Sequence, residues 1–192
     1  MAKAKTKLYG CDISHHNKYN LPNFSEQDFI IMKATEGITY VDPMMNTYLE
    51  KLKKDQLYGF YHFARPERNR AKDEAKNFIK AIGINGENAM LVLDWEAQAL
   101  RQPIEWALDW CKEVEKEYGK KPLIYCSSSY TKKLQLLLDN NIGLWVAHYT
   151  SKDKPTVYTY PYYSMWQYTS RPYDKDIFNG TRKQFEAYCT RR

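Results

Sequence analysis

Apolar and polar positions along this chain follow two alternating periods. Short runs read as strands: Leu8-Tyr9-Gly10-Cys11-Asp12-Ile13-Ser14, residues 28–34, Tyr58-Gly59-Phe60-Tyr61-His62-Phe63-Ala64 and Ala89-Met90-Leu91-Val92-Leu93. The last is apolar enough to be buried on both faces. Between them the spacing becomes helical. After Pro43, which suits a first helical position, Met44, Met45, Tyr48, Leu49 and Leu52 recur on one face. Lys51, Lys53 and Lys54 then fall in the last part, where cations complement the helix dipole. Residues 65–83 read as a charged helix with Ala71, Ala75, Phe78, Ile79 and Ile82 inward. Pro103 opens another helix, with Ala107, Trp110, Cys111 and Val114 on its stripe, and Gly119 closes it. A fifth strand is expected over 122–126, followed by a helix through Leu134, Leu137 and Leu138. Two further strands, 144–149 and 164–169, are separated only by loop, and a short eighth is expected over 176–178 before a C-terminal helix. Strand–helix alternation predicts a parallel sheet, and eight strands predict closure. The expected fold is α/β: a single TIM-like β/α barrel over residues 8–192, with fewer outer helices in its C-terminal part and a basic arm over 1–7.

Composition narrows the classes. A length of 192 residues suits one domain with a sizeable core, and 43% hydrophobic residues exclude a disordered chain. The 17 tyrosines fit either stacking on sugar rings or an ordinary core rim. A net charge of +6 favours polyanions: nucleic acid, acidic membranes or acidic cell-wall polymers. There is no compact basic reading helix and no RNA-binding signature, so nucleic acid is not an expected partner. The arm Lys3-Ala4-Lys5-Thr6-Lys7 lacks the apolar segment of a secretory signal, and no apolar run is long enough to span a bilayer. Cys11, Cys111, Cys126 and Cys189 form no C-x-x-C pair and read as free thiols buried as small hydrophobes. Both features agree with synthesis in a reducing cytosol.

The candidate chemistry lies at strand ends. The run Ala89–Leu93 ends in Asp94-Trp95-Glu96, and alternation puts Asp94, Glu96 and Val92 on one face and Trp95 on the other. Two acids in a poorly solvated cleft cannot both ionise freely, so one keeps a proton for general acid work. Spacing alone fits equally well a strand that simply reaches solvent. In α/β barrels the chemistry gathers at the C-terminal strand ends. Those ends supply Asp12, Glu36, Tyr61, His62, Asp94, Glu96, Tyr125, His148, Gln167 and either Asp174 or Asp176. Acids ringed by Tyr and Trp are what a glycosidase needs. A metal hydrolase built from His15, His16, His62 and His148 with Asp12 or Glu36 lacks any H-x-H or H-E-x-x-H spacing. A catalytically inactive wall-binding barrel is the other alternative, and the intact Asp94 and Glu96 argue against it.

These residues resemble glycoside hydrolase family 25, the N-acetylmuramidase lysozymes of the kind found in phage endolysins. The resemblance runs from Tyr9 to about Phe185. It rests on Gly10-Cys11-Asp12-Ile13-Ser14-His15-His16, Lys33-Ala34-Thr35-Glu36-Gly37, Gly59-Phe60-Tyr61-His62-Phe63-Ala64, Leu93-Asp94-Trp95-Glu96, Leu144-Trp145-Val146-Ala147, Trp166-Gln167-Tyr168 and Asp174-Lys175-Asp176-Ile177-Phe178-Asn179-Gly180, in that order. It implies cleavage of the β-1,4 bond between N-acetylmuramic acid and N-acetylglucosamine in peptidoglycan. Glu96 falls on the family's general acid, Asp94 on its partner, and Asp12 and Asp174 on further site acids. Glu36, Tyr61, Tyr125, His148, Trp166 and Gln167 are the candidate sugar-binding residues. The chain departs from the family at Asn17, where Gln is frequent, and at Asp176, where Asn is frequent. The implied partner is the peptidoglycan glycan strand, met by a monomer with no cofactor and no metal. By the endolysin analogy the protein is made in a host cytoplasm without a signal peptide and acts on the bacterial wall. The adjacent acid pair and the N-acetyl substrate suggest that the sugar's own 2-acetamido oxygen attacks; inversion also fits the sequence.

Overall fold

A computed structural model describes residues 5–191. Eight strands close into a barrel: β1 (Leu8–Ile13), β2 (Phe29–Glu36), β4 (Leu57–Phe63), β5 (Met90–Asp94), β6 (Leu123–Ser127), β7 (Gly143–Ala147), β8 (Met165–Thr169) and β9 (Lys175–Phe178). A two-residue strand, β3 (Tyr40–Val41), folds back on β2 outside the ring. Neighbours from β1 through β8 pair in parallel, as the strand–helix alternation predicts. β9 departs from that expectation and is antiparallel to both β8 and β1. The cause is connection length: residues 170–174 are too few for a crossover, which needs a dozen or more, so the chain turns back as a hairpin. The N-terminal end of β9 therefore reaches the mouth, whereas the other seven barrel strands present their C-terminal ends.

Strand alternation sorts the side chains into two cores. Leu8, Phe29, Ile31, Leu57, Met90, Val92, Leu123, Met165 and Phe178 fill the barrel interior. Helix α5 (Arg182–Cys189) closes its lower end with Phe185, whose ring centroid lies 5.3 Å from that of Phe29 and 5.1 Å from that of Phe178. The alternate residues Cys11, Ile30, Met32, Phe60, Leu91, Leu93, Trp95, Ile124, Leu144 and Val146 face outward into a larger core. Helices α1 (Met45–Glu50), α2 (Ala71–Ile82), α3 (Ile104–Tyr118) and α4 (Gln135–Asp139) surround the barrel. Each fully buried large apolar side chain contributes roughly 1.5–3 kcal/mol, so this outer layer carries much of the stability. All four cysteines are free and buried.

Helix boundaries follow local chemistry. α3 starts just after Pro103 and ends at Gly119, which takes the left-handed conformation at φ 66°. α2 begins at Ala71 rather than 65, because the Glu74 carboxylate reaches back to accept from the Arg65 backbone N–H and the Asn69 amide, holding 65–69 as a turn. α1 ends at Glu50, so Lys53 and Lys54 lie beyond it and not on its last turn. The helix expected after β6 divides into a 3-10 turn, Ser128–Lys133, and α4. Among the described residues no helix is long and apolar enough to cross a membrane. Of the basic arm expected over 1–7, residues 1–4 lie outside the described residues; Lys5 pairs with Asp28 at 2.8 Å, and both are exposed enough for the pair to contribute little.

Candidate active site

The mouth of the barrel holds a cleft of about 420 Å³ lined by Asp12, Lys33, Tyr61, Asp94, Glu96, Tyr125, Trp145, Tyr149, Gln167 and Asp174, among others. The acids come from different strands. β1 delivers Asp12. β5 delivers Asp94, and the extended backbone at Glu96 (φ −140°, ψ −173°) continues the alternation past the strand end, bringing Glu96 to the same cleft. Trp95 points the other way into the outer core, as alternation requires. Asp174 lines the cleft because it precedes β9 at the mouth end. Asp176, two residues further in, is fully buried below, and its Oδ1 accepts from the Trp145 indole at 3.0 Å. The choice between these two acids is thus settled by strand direction: Asp174 faces the cleft.

The supporting hydrogen bonds form one network. The Gln167 amide donates to Asp12 Oδ2 at 2.7 Å, and its Oε1 accepts from the Tyr125 hydroxyl at 3.0 Å and the Tyr149 hydroxyl at 2.7 Å. These bonds fix Gln167 and leave the phenol rings as walls. Asp94 is buried, and its Oδ1 has no hydrogen-bond partner among the described residues. A buried carboxylate oxygen without a partner is costly in a protein that has no use for it.

Electrostatics follow from crowding. Burial pushes Asp94 well above the ordinary carboxylate range, with the charges of Glu96 and Asp12 adding to it. Burial also raises Glu96, helped by Asp174 and opposed by Lys33 and Arg65. Asp12 is pushed up to about 7, first by burial and then by the Asp174 charge. Asp174 is raised by burial, and Asp176 by burial and then by Asp12. The cleft therefore retains protons that separate carboxylates would lose.

Several expected residues lie elsewhere. Trp166 is buried on the outer side of β8, its indole donating to the His148 carbonyl at 2.8 Å. It neighbours Gln167 on one strand, and Gln167 faces inward, so Trp166 cannot line the cleft. His148 is likewise absent from the lining: its Nδ1 accepts from the Thr156 N–H at 3.0 Å and braces the following loop. Glu36 lies in an adjoining depression, held by Lys33 and Arg65, where their hydrogen bonds and charges outweigh burial and lower its pKa. His62 faces outward; burial keeps it neutral, with Nε2–H donating to Glu74 at 2.7 Å, Nδ1 accepting from the Thr35 hydroxyl at 2.7 Å, and its ring stacked on Trp110. A 3-10 turn brings the ring centroids of His15 and His16 to 3.9 Å. The four histidines of the metal reading therefore do not converge. Sequence reasoning missed Lys33, Trp145 and Tyr149 as cleft residues. For Lys33 a signal was present: a lysine at an inward position of an otherwise apolar strand.

Comparison with known proteins agrees with this fold. The model of glycosyl hydrolases family 25 matches residues 11–177. The chain is 29% identical over 177 residues to the uncharacterized protein YegX of Escherichia coli strain K12, covering 83% of this chain and 62% of that one. It is 31% identical over 186 residues to the lysozyme of Streptococcus phage Cp-1, covering 86% of this chain and 52% of that one. The chain thus spans only part of the length of these two relatives. Among solved structures, a family 25 lysozyme from Aspergillus fumigatus superposes with a TM-score of 0.80 at 28% identity, over 96% of this chain and 100% of that one.

Proposed function

The chain belongs to glycosyl hydrolases family 25, and from that premise we propose that it hydrolyses peptidoglycan at the β-1,4 bond between N-acetylmuramic acid and N-acetylglucosamine, with Glu96 as general acid and Asp94 as the partner of the 2-acetamido group. The observation that carries this reading is the buried, unpartnered Oδ1 of Asp94 beside Glu96 in an open acidic cleft. A bound acetamide N–H donating to Asp94 favours its anionic form and leaves the shared proton on Glu96. The acetamide oxygen then attacks the anomeric carbon, the glycosidic bond breaks, and the proton passes from Glu96 to the leaving oxygen. Asp94 offsets the positive charge on the resulting oxazolinium ring. Glu96, now a carboxylate, takes a proton from water as that water opens the ring, and the β configuration is retained. Asp12 and Asp174 complete the acidic wall, and Tyr61, Tyr125 and Tyr149 offer ring surface to the sugar. The protein acts as a monomer on wall glycan and draws on no metal, so lysis survives excess EDTA.

Substitution with azide rescue tests the assignment. Glu96→Gln cannot deliver a proton and lowers turnover by roughly 10²–10⁴-fold. With an activated leaving group, azide restores this variant and gives a β-glycosyl azide. Asp94→Asn is equally impaired but is not rescued. An α-azide from Asp94→Asn would instead mark Asp94 as a nucleophile, and an α product from the native enzyme would replace retention with inversion.

A further inference from the structure

Lys33 is a buried ammonium at the rim of an acidic mouth. It lies on the inward face of β2, is 7% exposed, and is the one lysine or arginine lining the cleft among the described residues. Its anchors are one carboxylate, Glu36, and two aromatic rings. Its Nζ donates to Glu36 Oε2 at 2.7 Å and lies 4.9 Å from the Phe63 ring centroid and 5.5 Å from that of Tyr40. Arg65 grips the same Glu36 through Nε at 2.8 Å and Nη2 at 2.6 Å, and covers Phe63 at 4.7 Å. Two cations thus clamp one carboxylate, and Arg65 also lies 3.9 Å from Glu67, which Arg68 approaches at 3.7 Å. Among the described residues no ion pair joins Lys33 to Asp94 or Glu96. A flexible lysine facing several carboxylates would ordinarily collapse onto one of them; here Glu36 and the two rings restrain it.

We propose that Lys33, anchored by Glu36 and Arg65, is a positioning charge that sets the pH range in which the Asp94–Glu96 pair holds a single proton. This rests on the glycosidase reading above for the pair's chemistry. Burial raises both acids, and the charge of Lys33 opposes that rise in each. Besides Glu36 and Arg65, the other ionisable groups around the pair are Asp12 from β1, Asp174 before β9, His16 from the turn after β1, and the Tyr61, Tyr125 and Tyr149 phenols, which burial raises and so keeps neutral. Behind Tyr40 lie His15 and Asp42, paired at 2.8 Å. Without Lys33 the pair faces Asp12 and Asp174 with no lysine or arginine lining the cleft among the described residues, and the range in which it holds one proton moves to higher pH. Without the Glu36 charge, the field of Lys33 and Arg65 is uncompensated and the range moves lower.

The test is the pH profile of kcat/KM on a soluble glycan fragment, with melting followed by circular dichroism. Lys33→Met moves both limbs up by about one pH unit, the lower end of what a neighbouring charge does. Arg65→Met moves them up by less, Glu36→Gln moves them down, and Lys33→Arg restores the native limbs. Lowered activity with unmoved limbs in Lys33→Met and Glu36→Gln overturns the proposal and leaves these residues a structural role. If Lys33→Met does not fold, the opposite-signed shift of Glu36→Gln decides. If the native protein cleaves no glycan, the family-based reading fails instead. Carboxyl titration of Asp94 and Glu96 by carbon NMR in the free protein then still decides for Lys33: raised midpoints in Lys33→Met support it, and unchanged midpoints overturn it.

Discussion

At the scale of single residues, side-chain direction separates the groups that line the cleft from those that only hold the barrel. Trp166 and Gln167 are neighbours on one strand, yet one lies in the outer core and the other bonds Asp12. Trp166→Phe is therefore expected to lower stability by roughly 0.5–3 kcal/mol, the usual span for a substitution in a packed site, and to leave KM unchanged. Urea denaturation beside fragment kinetics reads both; a raised KM at native stability would return Trp166 to the cleft. Much at this scale was legible from alternation. Asp12, Asp94, Glu96, Tyr61, Tyr125 and Gln167 all follow it. Alternation also excludes Trp166 once Gln167 is placed inward, and excludes His148 once Trp145 is. Glu36 was not legible, because an irregularity between Lys33 and Thr35 breaks the count along β2 and re-aims the side chains beyond it.

At the scale of elements, the barrel strands are fixed from outside by polar clamps as well as by apolar packing. Glu74 on α2, fully buried, bonds His62 on β4 and the Arg65 backbone just beyond that strand. Glu74→Ala would leave that histidine and that backbone N–H without their acceptor, at a cost of about 1–3 kcal/mol for each unsatisfied buried donor. Because Arg65 anchors Glu36, a surviving fold should also lose activity. Denaturant midpoints measure the first effect, and a loss below about 1 kcal/mol, under that range, would contradict the account. The elements themselves were largely legible: Pro103 and Gly119 bracket α3, and the apolar runs mark the strands. The direction of β9 could be inferred only by weighing loop length against the parallel pattern. The start of α2 was hidden because its capping carboxylate lies inside the helix, at Glu74, while the turn it holds resembles a charged first helical turn in sequence.

At the scale of the whole molecule, the acidic mouth trades stability for chemistry. A carboxyl raised on folding stabilises fully below its unfolded value, and that contribution is lost as pH rises through the folded one. For Asp12 the window runs from 3.8 to about 7, and Asp94, Glu96, Asp174 and Asp176 shift in the same direction. Melting temperature should therefore fall between about pH 4 and about pH 7. Asp176→Asn removes one member that does not line the cleft, so its advantage in melting temperature over the native protein should grow as pH rises; a constant difference would contradict the assignment. The net charge of +6 acts over the whole surface, and binding to anionic walls should weaken with salt as exposed charges are screened beyond about 8–10 Å. The most direct measurement of the central claim is the identity of the new reducing ends. Purified peptidoglycan is digested, reduced with borohydride and hydrolysed, and the reduced amino sugar is identified. Native protein should yield the reduced form of N-acetylmuramic acid and Glu96→Gln almost none, whereas reduced N-acetylglucosamine, or released peptide without new reducing ends, would contradict the account.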